Sequence, residues 1–317
     1  MLDRAGAMLY PAPANHRPRP ALNSRQLLQL FVLASIWGAS FMFIRLTVPY
    51  FGPVPLSAAR SLIAALVLTP LLLMKGQWPA FRQSWKHLLV IGLISTALPF
   101  SFLSISTQYT SAGFASILNA LTPIFSALVA WLWLKESLTP AVIIGILLGF
   151  TGVFVMVFDR ETISASLPVL PVLAGVGGTL LYGLTGNYSR RFMVGVPVLT
   201  IAAGSQVFSS LLLLPVAVMQ WPGAPIPTVS WVYTCILGVV CTGLAYILYF
   251  GLLETVGVAR TVIVTYLVPV FAMLWGYAIL DESATLQMLA GAACILCGIG
   301  LTTYRPKPPP ATGTTAP

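Results

Sequence analysis

Residues 122–137 read TPIFSALVAWLWLKES, and residues 268–283 read VPVFAMLWGYAILDES. Each stretch opens on a proline, runs apolar, and closes on Glu-Ser. Thirteen positions separate Pro123 from Glu136, thirteen separate Pro269 from Glu282, and the two copies lie 146 positions apart. Working outward, the same offset sets Phe125 on Phe271, Leu134 on Leu280, Asn119 on Thr265 and Gln108 on Glu254. It also sets Gly145 on Gly291, Gly152 on Gly298 and Phe100 on Tyr246. Nearer the start of each half the offset becomes 145, where Trp37-Gly38 meets Tyr182-Gly183 and Arg45 meets Arg190. The chain reads as one half written twice, and duplicated apolar halves point to a transporter whose site lies where the halves meet.

Composition agrees. The chain is 58% hydrophobic and 7% charged, with mean hydropathy +0.92, where a soluble domain carries roughly 25% charged residues. Lipid-facing surface accounts for the difference. Apolar runs of helical length fall at about 27–47, 56–74, 88–106, 111–134, 141–158, 170–187, 198–219, 231–253, 258–280 and 286–304. The expected architecture is an all-α membrane protein of ten transmembrane helices. Residues 1–26 and 305–317, rich in Pro and Ala or Pro and Thr, are expected as disordered cytoplasmic tails. Between them stand a first five-helix repeat (27–158), an outer linker (159–169) and a second repeat (170–304).

The basic residues orient these spans. With the N-terminus in the cytoplasm, the inner segments hold Arg4, Arg17, Arg19, Arg25, Lys75, Arg82, Lys86, Lys135, Arg190, Arg191, Arg260, Arg305 and Lys307, thirteen of the sixteen. The outer loops hold Arg160, and Arg45 and Arg60 fall within spans. Such loading predicts both termini inside. Five spans per half is odd, so the second half enters from the opposite side and the repeat is inverted. The net charge of +9 is then topological, and no nucleic-acid partner is expected.

Candidate site residues follow from cost. Pro123 and Pro269 fall mid-span, and each frees the carbonyl four residues earlier, on Asn119 and Thr265. Irregular backbone at that depth is tolerated where it is packed in protein or lines a cavity. Ionisable groups in a bilayer are functional candidates by default: Arg60, in span two, is suited to a carboxylate or other anionic group. Trp37 and Tyr182 are repeat partners within spans one and six, and Tyr246 answers Phe100; their faces suit apolar or cationic substrates. Glu254, Glu136 and Glu282 are weaker candidates for ion coupling. For Glu136 and Glu282, capping the helices that begin near Ser137 and Ser283 is favoured. Gly145 and Gly152, like Gly291 and Gly298, share a helix face; they serve either the packing of spans five and ten or a homodimer contact. No cofactor or metal is expected. Cys294 and Cys297 have C-x-x-C spacing without a second ligand pair, His16 and His87 stand outside the spans, and no catalytic motif is present, which argues against an enzyme.

Trp37-Gly38-Ala39-Ser40-Phe41, Arg60, and the doubled sequence from Ala115 through Pro123 to Glu136 and from Ala259 through Pro269 to Glu282 resemble the EamA-type drug/metabolite transporters, over about residues 27–304. The glycine pairs of the closing spans complete the pattern. The resemblance implies a ten-helix, two-fold inverted-repeat carrier of the bacterial inner (plasma) membrane. Its members move amino acids, other small metabolites or drugs, commonly outward. The four-helix multidrug relatives carry a proton-coupling acidic residue in their first span, and span one here has no Asp or Glu. The expected function is therefore export of a small molecule by alternating access of the two repeats around a midplane cavity. A lipid or lipid-precursor flippase and a channel-like facilitator are the alternatives.

Overall fold

A computed structural model describes residues 23–157, 169–256, 261 and 263–303, with the side chain of Glu254 outside the described set. All regular structure among them is helical. Eight helices are long and apolar enough to cross a membrane: α1 (Ser24–Phe51), α2 (Pro53–Met74), α3 (Trp78–Tyr109), α4 (Ala112–Leu134), α6 (Val169–Phe192), α7 (Val198–Met219), α8 (Thr228–Leu253) and α9 (Ile263–Leu280). Two shorter apolar helices, α5 (Pro140–Val157) and α10 (Leu286–Thr303), complete the described set. The chain is a multi-pass integral membrane protein. Residues 1–22, 158–168 and 304–317, with Arg160 and Arg260, lie outside the described residues, whereas Ser24–Gln26, expected in the tail, open α1 and Val169, expected in the linker, opens α6.

Local chemistry sets the helix boundaries. Asn23 and Gln26 form a reciprocal cap at the start of α1: the Gln26 N–H donates to Asn23 Oδ1 and the Asn23 N–H donates to Gln26 Oε1. Gly52, at φ 78°, turns the chain without a Cβ penalty and hands it to Pro53 at the first turn of α2. Inside the spans, hydroxyls turn back on their own helices: Thr47 onto Phe43, Ser101 onto Ala97, and Thr107 onto Leu103. That leaves these polar side chains satisfied where water is absent.

The helix packing returns on itself when the halves are exchanged. α1 packs on α9 as α6 packs on α4; α3 meets α6 and α7 as α8 meets α1 and α2. α2 packs on α7 and α5 on α10, each helix against its own repeat partner. The glycines explain the last contact. A Cβ on Gly145 would stand 2.5 Å from the Gly298 carbonyl oxygen, and one on Gly152 would stand 2.6 Å from that of Gly291. The two backbones touch, and the glycine faces are occupied within the chain. Gly149 is filled in the same way, by Ile124 of α4.

The prolines differ between the halves. α4 is two pieces, Ala112–Asn119 and Thr122–Leu134, joined through turns at Ala120 and Leu121. α9 carries Pro269 within an unbroken helix. The Asn119 carbonyl, expected to be free, accepts the Thr122 hydroxyl at 2.8 Å. α3 and α8 each contain a π-helical turn, Gly92–Ala97 and Val239–Leu244, at corresponding places in the repeat.

Candidate functional site

Arg60 is 8% exposed and points among residues from several helices. Its guanidinium lies 3.9 Å from the centre of the Phe100 ring in α3, and Nε donates to Thr242 Oγ1 in α8 at 2.9 Å. Tyr182 of α6, Tyr246 and Cys241 of α8 stand within electrostatic range. The Thr242 hydroxyl donates in turn to the Leu237 carbonyl at 2.8 Å, five residues back across the π turn. Its proton is thereby committed, and its lone pairs face the arginine. A cation over a desolvated ring gains about 2 kcal/mol, well short of the several kcal/mol that burying an ion costs. Among the described residues no carboxylate is paired with Arg60.

Arg60, Tyr182 and Tyr246 are thus brought together. Trp37 packs against Tyr249 at 5.4 Å between ring centres and shares a core cluster with Tyr182 and Phe271. Asn119 and Pro123 flank a second cluster: their neighbours Leu118, Leu121 and Ile124 pack toward Ile295 and Ile299 of α10. The side-chain oxygen Oδ1 of Asn119 is buried without a partner. Pro269 is buried in α9, one turn after Thr265.

The acidic candidates occupy the ends of the bundle. Glu136 pairs with Arg190 at 2.5 Å, and Glu282 Oε1 lies 3.6 Å from Arg45 Nε. These pairs are repeat images: α1 reaches the end of α9, and α6 reaches the end of α4. Lys135 and Asp281, the residues before the glutamates, have left-handed φ of 58° and 53°. The Glu136 N–H then bonds back to the Ala130 carbonyl as that of Glu282 bonds back to Gly276. Arg45 is further held by the Thr107 and Gln108 carbonyls, and Glu282 Oε2 accepts the Ala112 N–H at 2.9 Å. The helices after the glutamates are capped by threonines instead: Thr139 accepts from Val142 and Thr285 from Met288. Glu282 does cap a helix, but it is α4 of the other half. Beside it lies a pocket of about 270 Å³ whose lining includes Gly113, Met273, Tyr277 and Met288 and does not include Arg60. The Glu254 side chain falls outside the described residues.

Burial raises the Glu282 carboxyl above the usual carboxylate range, while the Ala112 N–H, the Arg45 guanidinium and the Gly113 N–H pull it back. The sequence reading missed the Arg60–Thr242 contact and both ion pairs. The register pairs Thr96 with Thr242 and Arg45 with Arg190, but equivalence between halves does not say which side chains meet.

Comparison with known proteins agrees with this architecture. The EamA-like transporter family matches the chain twice, over residues 25–158 and 169–304. The uncharacterized transporter YvbV of Bacillus subtilis is 24% identical, over 90% of this chain and 93% of its own. An uncharacterized transporter of Archaeoglobus fulgidus is 27% identical, over 90% and 99%. The chloroplastic WAT1-related protein At3g02690 of Arabidopsis thaliana is 24% identical, over 84% and 67%. One protein of known crystal structure shares the fold, with TM-score 0.61 at 20% identity, over 88% of this chain and 96% of that one. Two family matches that together span the described helices leave one assignment: the chain belongs to the EamA-like transporter family.

Proposed function

We propose that this protein is a secondary carrier that exports a small metabolite or drug bearing an anionic group, amino acids included, across a bacterial inner membrane. Ten spans form two inverted five-helix halves with both termini in the cytoplasm, and the halves rock around a central cavity. The anionic group binds Arg60. Phe100, Tyr182 and Tyr246 contact the rest of the molecule, and Trp37, Asn119, Thr265 and the two proline-bearing helices form the surrounding wall. Arg45–Glu282 closes the outer end and Arg190–Glu136 the inner end.

The observation that carries this reading is Arg60: a buried guanidinium with a ring and a hydroxyl beside it and, among the described residues, no carboxylate. Support for the inversion comes from the doubled family match, the exchangeable helix contacts and the loop charges. The test is an efflux screen of amino acids, organic acids and drugs in cells with and without the gene, followed by counterflow in proteoliposomes. For the cargo found, Arg60→Gln should raise KM at least tenfold, because a charge-assisted hydrogen bond in a sheltered site is worth about 1.5–3 kcal/mol. Arg60→Lys should retain part of the affinity. An Arg60→Gln carrier with unchanged KM and cargo range would sink the reading. Asn119→Ala and Thr265→Val test the wall: unchanged affinity and rate in both would remove those residues from it.

A further inference from the structure

The offset of 146 that pairs the prolines also pairs Arg60 with Gln206 and Thr96 with Thr242. The structure repeats the contact as well as the residues. α2 and α7 cross where the Ser61 and Ser209 hydroxyls meet at 3.1 Å. Beside this crossing Arg60 reaches Thr242, in the π turn of α8, and Gln206 reaches Thr96, in the π turn of α3. Each π turn begins at or beside a glycine that brings its helix onto the crossing pair. A Cβ on Gly238 would stand 3.1 Å from the Arg60 carbonyl oxygen, and one on Gly92 would stand 3.1 Å from that of Ser205. π turns inside α-helices concentrate at functional sites, and here the repeat has kept two of them.

What the repeat has not kept is the charge. Arg60 is bonded to its threonine at 2.9 Å, whereas Gln206 Nε2 is 3.5 Å from Thr96, at the outer limit of a hydrogen bond. Gln206 is fully buried, and its Oε1 has no partner among the described residues. A buried amide oxygen left unpaired is costly, and native proteins seldom leave one without a reason. A structural glutamine would have its amide consumed by its neighbours, as Asn187 has with Ser126 and Gly183.

We propose that Gln206 is a specificity-determining residue of the carrier: its side-chain oxygen accepts an N–H or O–H of the same molecule whose anionic group binds Arg60. The substrate class is then a small anion that also carries a hydrogen-bond donor. An anion without a donor leaves Gln206 unpaired, and a donor without an anion leaves Arg60 unpaired. Two unlike anchors on repeat-related positions also fix which end of the cargo faces which half. The inference rests on the anionic-substrate reading of Arg60, and the test separates the two.

The probes are butyrate, butyramide and the 2-, 3- and 4-hydroxybutyrates, which share one carbon skeleton. Binding to the purified full-length carrier is read from the rise of the thermal-unfolding midpoint with probe concentration. Butyrate binding more tightly than butyramide, with the difference lost in Arg60→Gln, is the outcome expected for the Arg60 reading. At least one hydroxybutyrate binding about tenfold tighter than butyrate, with that preference lost in Gln206→Met while butyrate affinity stays within about threefold, is the outcome expected for Gln206. Without probe, the Gln206→Met midpoint should be unchanged or higher, since it replaces an unpaired amide with an apolar chain of similar length. A lower midpoint in that variant assigns Gln206 a structural role and overturns the proposal. Gln206→Asn, which keeps the amide but shortens its reach, should also lose the preference; a preference retained in both variants overturns the proposal. Equal affinity for butyrate and all three hydroxy acids in the wild type sinks the Gln206 inference alone. Failure of butyrate to exceed butyramide, or of every acid to bind, sinks the Arg60 reading and with it this one.

Discussion

Gly38 and Gly183 bring the two halves close at the level of single atoms. A Cβ on Gly38 would stand 2.7 Å from Phe271 Cβ and 2.8 Å from the Ala272 nitrogen. One on Gly183 would stand 2.7 Å from the Ser126 nitrogen and 2.8 Å from the Phe125 carbonyl carbon. In both cases the obstacle includes backbone, so no rotamer relieves it. Gly38→Ala and Gly183→Ala should each destabilise the protein, by about 1–3 kcal/mol for forced overpacking, seen as a lower unfolding midpoint in detergent. Gly251 supplies the control. Nothing lies within 4 Å of its would-be Cβ, so Gly251→Ala should be neutral or gain up to about 1 kcal/mol of helix propensity. If all three alanines behave alike, the close approach of α1 to α9 and of α6 to α4 is wrong. The pairing of Gly38 with Gly183 could be read from the sequence alone. Their contact partners could not, because a repeat register says which residues are equivalent and is silent on which helices touch.

At the scale of helices, α4 and α9 share a proline and differ just before it by one hydroxyl. Thr122 takes up the Asn119 carbonyl that Pro123 releases, and this lets α4 part into two pieces. The position equivalent to Thr122 in α9 is Val268, which has no hydroxyl to offer, and α9 stays in one piece. Thr122→Val should therefore strip the bonding partner from a carbonyl in the spanning region. It should cost about 1–3 kcal/mol and speed hydrogen exchange of the amides around 119–123; unchanged exchange would show that the hydroxyl does not hold the break. The apolar runs, the prolines and the doubled spacing made most of the helices legible in advance. The broken helix was half legible: its proline was seen, while the hydroxyl three residues past Asn119 was not weighed. The candidate site was less legible than the fold. Arg60, Tyr182 and Tyr246 were named separately for their chemistry, and three dimensions made them neighbours. Gln206 carries no signal of its own in the sequence: it is a neutral amide where the other half has an arginine.

Over the whole molecule, the two ion pairs tie each half to the other, and the alternation proposed above must break them in turn. They are unequal. Arg190 and Glu136 are 48% and 49% exposed, while Arg45 and Glu282 are 36% and 18% exposed and are held by further backbone groups. An exposed pair is worth at most about 1 kcal/mol, so Arg190→Gln should shift the balance of open and closed ends by about fivefold or less. Glu282→Gln should shift it further. Ser111, which lines the pocket beside Glu282, reports on that end when replaced by cysteine in a background without Cys235, Cys241, Cys294 and Cys297. Its reaction with an impermeant maleimide measures opening. Acid should imitate Glu282→Gln. Burial raises the Glu282 carboxyl, so as pH falls it takes up a proton in the folded protein before it does so in the unfolded chain. The folded state then binds more protons, and this group adds stability as pH falls even while Arg45 loses its partner. With labelling rates divided by the thiolate fraction at each pH, the expected result is a pair of opposite-looking trends in one pH interval: faster labelling of Ser111→Cys, and no fall in the unfolding midpoint attributable to this group. In Glu282→Gln, labelling corrected in this way should already be fast at neutral pH and flat with pH. Labelling in the wild type that does not respond to acid, or a pH response that survives Glu282→Gln, would remove Glu282 from the gate.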